Sequence, residues 1–435
     1  MLAKISRWVA VWLLAVGGLA ALAARPQWMV KWRTVCPTVA SCPLRILPDG
    51  LHVIAPDSVN PPGHVLVNLK TGGTEKLSVS VGEIYRLAWS SSREQLALVT
   101  TSGSDPSEHR VWVAGADLSK PRLTYRARWK PGLEVPDKLA WLQNDTWLIY
   151  TWPVWQGGKV HRREGRVVKL DGLQERPALK WEAEAVWSEK MGRGAWVHNG
   201  TIEVRSFGTD QVRRYGPPGP GRYEALDFSD DGRYIAYARY HGKPYVWPIP
   251  SYRQAFPRGY KEFHTPGGVW LLDTVTGKHR PIVSGTYFRV FAEFSPDRDR
   301  LACILWVGDL GDGVLSEACT ASLHSGAARF LPDYRFGSLV SVPPRTRGDY
   351  DWVDWSFDGQ FLMAGTTADH SAHTWVFDRN GKPLAALEQK GWGSGECGPA
   401  WLPTGNQIAG VMYKHYPGGH PTDWTLFVAT LSRAD

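Results

Sequence analysis

The chain has 435 residues, of which 43% are hydrophobic and 21% charged, with a formal net charge of +8. That balance excludes a disordered chain, and the length is enough to bury a sizeable core in two or three domains or in one large all-β domain. Lys and Arg are spread along the chain rather than stacked in one arm. The charge therefore reads as a basic surface, open to an acidic envelope polymer or an anionic membrane, and no nucleic-acid partner is expected. The 23 Trp supply large flat apolar groups, and the 45 Gly and 31 Pro punctuate many short elements. No 3.6-residue periodicity is sustained beyond the N-terminus, which removes helix-rich classes.

Residues 1–26 read as a membrane anchor or a signal peptide, in the form of one N-terminal hydrophobic helix. Lys4 and Arg7 precede an uncharged run from Trp8 to Ala24. Ala21-Leu22-Ala23 offers a cleavage site. Trp8 and Trp12 at one end, with Trp28 and Trp32 beyond the other, instead match the aromatic belts of an uncleaved anchor. On either reading the rest of the chain, residues 27–435, is delivered outside the cytoplasm, single-pass anchored or secreted at the cell envelope.

Beyond this segment a unit recurs, aliphatic-x-aromatic-Ser-x-Asp-Gly-x-x-aliphatic-Ala. It is clearest in ALDFSDDGRYIAYA from Ala225, AEFSPDRDRLACIL from Ala292 and VDWSFDGQFLMAG from Val353. Its anchor residues are Ile46, Trp89, Trp141, Trp187, Phe228, Phe294, Trp355 and Trp401, at intervals of 41 to 66 residues. Each unit reads as two strands about a tight turn, then a third and a fourth. The expected fold is an all-β propeller of eight blades, or seven if the degenerate first unit only caps the ring. The last unit lacks room for a fourth strand, so Gln27–Val35 is the candidate to complete it and remove two exposed edges.

The pattern resembles the WD-like repeats of TolB-type propellers, over residues 44–433. That resemblance implies architecture, because such propellers serve both as scaffolds and as enzyme accessory domains.

Long inserts fall between second and third strands or between blades, which elaborates one face and leaves the other smooth. TWPVWQGGKVHRRE from Thr151, the stretch from Arg239 and YKHYPGGHPTDW from Tyr413 are rich in Tyr, Trp, Arg and His. Trp155, Tyr245, Trp247, Tyr252, Tyr260 and Tyr416 are the candidate partner-binding residues, for an envelope protein or polysaccharide. Cys303 and Cys319 lie on two strands that a hairpin about Gly311 would place opposite each other. They and the pair Cys36 and Cys42 are the disulfide candidates.

No G-x-S-x-G elbow, phosphate loop or calcium loop is present. His370, His373 and the other loop histidines do not specify a metal, because side chains on a loop need not converge. No catalytic residue, metal or cofactor is therefore assigned. A binding protein without enzymatic activity is the expectation, and a metal-dependent lyase or hydrolase acting on glycans is its rival.

Overall fold

A computed structural model describes residues 28–36, 45–56, 64–77, 81–90, 92–102, 108–128, 138–156, 159–209, 211–216, 219–241, 245–247, 262–287, 289–309, 314–332, 352–366, 373–387, 392–394, 399–414 and 424–433. The apolar run expected as a helix lies outside the described residues. Among the described residues no helix is long and apolar enough to cross a membrane.

Eight antiparallel sheets follow one another along the chain as the blades of a propeller. Their spans are Arg45–Lys76, Val81–Arg128, Lys138–Pro177, Val186–Tyr215, Arg222–Tyr287, Arg289–Phe330, Trp352–Ala386 and Ala400–Arg433. The first unit is thus a full blade, and the count is eight. Strand Trp28–Cys36 pairs antiparallel with Trp424–Arg433, from Trp28↔Arg433 to Cys36↔Leu426, and supplies the fourth strand of the eighth blade. The ring is closed by the N-terminal segment, as the missing strand implied.

That closure corrects the reading of two tryptophans. Trp28, Val30 and Trp32 face inward with the period of two that a strand imposes, while Met29 and Lys31 are exposed. Trp28 packs edge-on against Phe361 at 5.3 Å, and Trp32 lies 4.8 Å from Phe427. They are core residues of a blade interface and not part of a membrane belt.

The core is divided among neighbouring blades. Each of the eight interfaces has its own apolar cluster, such as Val53, Ala55 and Val67 of blade one with Leu402, Ala409 and Val411 of blade eight. Cys303 and Cys319 face each other in register within blade six as two buried thiols. Cys42 lies outside the described residues, as does the side chain of Cys36.

The recurrent sequence unit closes the inner hairpin of a blade. Ser356 Oγ donates to Asp358 at 2.7 Å and accepts the Phe361 N–H at 2.9 Å, and Ser229 and Ser295 repeat both bonds. These serines are buried, so the motif satisfies a hydroxyl that would otherwise be costly. Gly232 and Gly359 adopt the positive φ the turn requires, at +68° and +67°. Blade six lacks that glycine, and Arg298 takes the same conformation at +62°, at a cost of about 1 kcal/mol.

The anchor aromatic joins each blade to the one before it. Trp141 Nε1 donates to the Ala88 carbonyl at 3.1 Å, Trp355 to that of Glu293 at 3.3 Å, and Trp401 to that of Asp354 at 3.1 Å. Replacing Trp401 by Phe removes one such bond and part of a buried ring. We expect a loss of about 2 kcal/mol, read as a lower urea midpoint with an unchanged slope.

Candidate functional site

The innermost strand of every blade lines the central channel. Side chains alternate along that strand, so the anchor packs toward the blade before, as Trp89 does, and the residue before it faces the blade after, as Ala88 does, at the edge nearest the channel. In ring order these residues are Arg45, Ala88, Ala140, Val186, Asp227, Glu293, Asp354 and Ala400. Three successive blades therefore contribute carboxylates at one level, and blade one, beyond Ala400, contributes a guanidinium. The channel opens as a cavity of about 810 Å³ at the face of the tight inner turns. Glu189 on blade four and Asp230 on blade five add further acids, and Lys190, Arg298 and, on blade two, Arg86 and Arg93 add cations. The floor and walls carry Trp89, Trp355, Phe357 and Trp401.

The carboxylates differ in what they already bind. Asp227 accepts the backbone N–H groups of Phe228 and of Phe294 in the next blade, both at 2.8 Å. Asp354 accepts the backbone N–H of Trp401, again one blade on, and Glu189 takes a backbone hydrogen bond from Trp141. These three staple blades together. Among the described residues no hydrogen bond engages the carboxylate of Glu293, whose surroundings act on it by enclosure and by the charges of Asp354 and Asp227.

Enclosure by protein pushes all four carboxyls upward from the ordinary carboxylate range, and like-charge repulsion adds to it at Glu293, Asp227 and Glu189. Protein surrounds them, yet Glu293 is exposed to the channel and the others are half-buried. Water in the channel thus offsets part of the desolvation, and the direction of the shift is what the geometry supports.

Arg93 crosses the mouth. Its guanidinium lies 4.8 Å from the centre of the Phe357 ring, joining the inner turn of blade two to that of blade seven. Blades one and eight stand between them, so the contact is a strap and not a neighbour contact. Cation–π pairs of this kind contribute about 1 kcal/mol when exposed, which is weak enough to open.

The aromatic candidates of the other face stand differently. The stretch from Thr151 is not a loop: Trp147–Gln156 and Lys159–Lys169 form one long hairpin that continues past the end of the innermost strand at Thr151. Backbone hydrogen bonding between alternating residues makes it an arm. Trp155 lies on that arm, and Tyr245 and Trp247 lie on a short strand, Tyr245–Trp247, paired with Glu262–His264. Their side chains, and Tyr252, Tyr260 and Tyr416 altogether, lie outside the described residues. Among the described residues no three His, Cys, Asp or Glu side chains converge as a metal site. The channel acids were in the quoted repeats, but as spacers before the aromatic. The signal that finds them is strand alternation applied to the anchor.

No family model matches the chain, and no curated relative does. Among solved structures it is similar to a prolyl endopeptidase, at 17% identity and a TM-score of 0.44, covering 77% of this chain and 46% of that one. It is similar to an oligogalacturonate lyase from Vibrio parahaemolyticus, at 10% identity and 0.46, covering 94% and 98%. TolB from Acinetobacter baumannii follows at 11% and 0.35, covering 93% and 80%. The chain thus spans less than half of the prolyl endopeptidase. At these values none bears on function.

The raised Glu293 carboxyl has a stability consequence with a definite sign. A group whose folded pKa lies above its unfolded value supports folding below the unfolded value and loses that support as pH rises through the folded one. Glu293→Gln should therefore match the native chain near pH 4 and melt at a higher temperature near pH 8, the gap opening between about pH 4 and the raised value. Thermal unfolding of both chains across that range measures it.

Proposed function

We propose that this chain is a non-enzymatic, exported or membrane-tethered propeller that binds an envelope partner, and that the partner enters the channel mouth. The observation that carries the reading is a mouth lined by charges of both signs, with Arg45, Arg86, Lys190 and Arg298 beside acids of which one, Glu293, has a carboxylate that no hydrogen bond engages among the described residues. A cavity of this size, walled by indole rings and carrying an unengaged carboxylate among charges of both signs, suits an extended polar segment bearing a cation, such as a peptide strand with Lys or Arg. The polysaccharide alternative has less support there, since a neutral sugar makes no use of the charges. The uncharged run Trp8–Ala24 supports delivery to the envelope. The hairpin arm on the far side offers the partner a second foothold.

Two short fluorescent peptides of equal length, one carrying Lys and the other Glu at the same positions, test the reading by fluorescence anisotropy. The Lys peptide should bind, and Glu293→Gln with Asp354→Asn should weaken it about tenfold, roughly 1.4 kcal/mol. Equal binding of the two peptides, or no effect of the substitutions, refutes the mouth as the site. If alanine at Trp155, Tyr245, Trp247 and Tyr252 abolishes binding while the channel substitutions do nothing, the elaborated face is the site instead.

The strap adds a kinetic expectation. Arg93→Ala removes the crossing contact, so association of the Lys peptide should quicken in stopped-flow mixing, with dissociation quickened as well.

A further inference from the structure

Where the chain leaves the ring fixes how the ring sits on a membrane. We infer that the face of the tight turns, with the channel mouth, lies against the lipid surface, an inference that rests on the tethered form of the proposed function. Three observations meet here. Trp28 pairs with Arg433 at the end of the last blade where every other blade makes its turn between third and fourth strands. Residues 1–27 therefore leave from the tight-turn face. Only Arg25, Pro26 and Gln27 separate the uncharged run from that strand. Four extended Cα steps reach about 14 Å at most, so a tether made by the run holds this rim close to the bilayer and cannot bring the opposite face to it.

The third observation is where apolar side chains are exposed. Met29, Leu51, Leu173, Met191 and Val275 are five of the eight large hydrophobics exposed among the described residues, and all five stand at this face. Four occupy turns, positions that ordinarily carry polar groups. Val275 is 74% exposed at its turn tip. The five come from blades one, three, four, five and eight, so they ring the face instead of clustering in a groove. Single apolar tips spread around a flat face fit a planar lipid interface, into which each can sink by a side-chain length, better than the knob of a protein partner. The consequence for the proposed function is that the segment entering the mouth arrives from the membrane side, as the juxtamembrane part of a membrane-bound partner would.

The test uses the full chain reconstituted in phosphatidylethanolamine–phosphatidylglycerol vesicles, with Cys introduced at Val275, Leu51 or, on the opposite face, Leu179, and labelled with a fluorophore. The parent chain treated alike sets the background from native thiols. Nitroxide-bearing lipid should quench the label at Val275→Cys and Leu51→Cys about threefold more than at Leu179→Cys, as tips seated in the headgroup layer require. If the chain remains on carbonate-washed vesicles but Leu179→Cys is quenched as strongly as the others, the tether stands and the orientation is wrong. If the chain is washed off, the tether fails and the orientation with it.

Discussion

The structure depends on contacts that pass from one blade to the next at the anchor aromatic. A single four-stranded blade has two apolar faces and no means of covering either, so it is stable only between neighbours. The anchor meets that need twice. Its ring fills the apolar layer between blades, and the indole N–H of Trp141, Trp355 and Trp401 ties to the carbonyl of the blade before. Asp227 and Asp354 then tie forward, from the same level, to the backbone of the blade after. Such a chain of pairwise contacts has no natural end, which is why strand Trp28–Cys36 matters so much. Without it the last blade would present an unpaired edge, and the layer holding Phe361 and Phe427 would lose the two tryptophans that cover it.

The same register writes the chemistry of the channel. The anchor packs toward the blade before and its predecessor faces the blade after at the edge nearest the channel, so one position in each repeat sets whether that edge is apolar or charged. Small residues fill it in blades two, three, four and eight. Blades five to seven carry acids, and they are not equivalent. The aspartates are short enough to reach the next blade's backbone and are used up in doing so. Glu293 is longer by one methylene and keeps its carboxylate in the water of the channel. The acidic arc is therefore two structural staples around one group with no structural duty, in a molecule whose overall charge is positive.

Much of this was legible in the sequence, and the parts that were not share a cause. The spacing of Trp141, Phe228, Phe294, Trp355 and Trp401, with Ser-x-Asp-Gly after several of them, gave the repeat, because a tight hairpin imposes its residue types locally. The closing strand was legible as well, since a missing fourth strand is a matter of counting. The roles of Trp28 and Trp32 were not. A tryptophan near an apolar run fits a membrane interface and a blade core equally well, and only pairing with Phe427 and Arg433 at the far end of the chain distinguishes them. The stretch around Trp155 reads as an insert because its aromatic and basic residues break the repeat, and only the pairing of Trp147–Gln156 with Lys159–Lys169 makes it an arm. Glu293 stayed hidden because its meaning depends on the ring: seven other blades must be in place before there is a channel for it to face.

A closed ring has two faces, and this chain treats them oppositely. Tight turns keep one face low, so the mouth of the channel is bounded by short, well-tied hairpins and by a single strap from Arg93 to Phe357. The other face is raised by strands that continue beyond the blade. Closing the ring with an N-terminal strand adds a constraint that neither face could impose alone, because the two strands joined there must both end at the low face. Whatever precedes Trp28 leaves from the side on which the channel opens. The position of one strand thus couples two properties that a propeller could vary independently, namely how the ring is sealed and at which face, that of the channel mouth, the first strand begins.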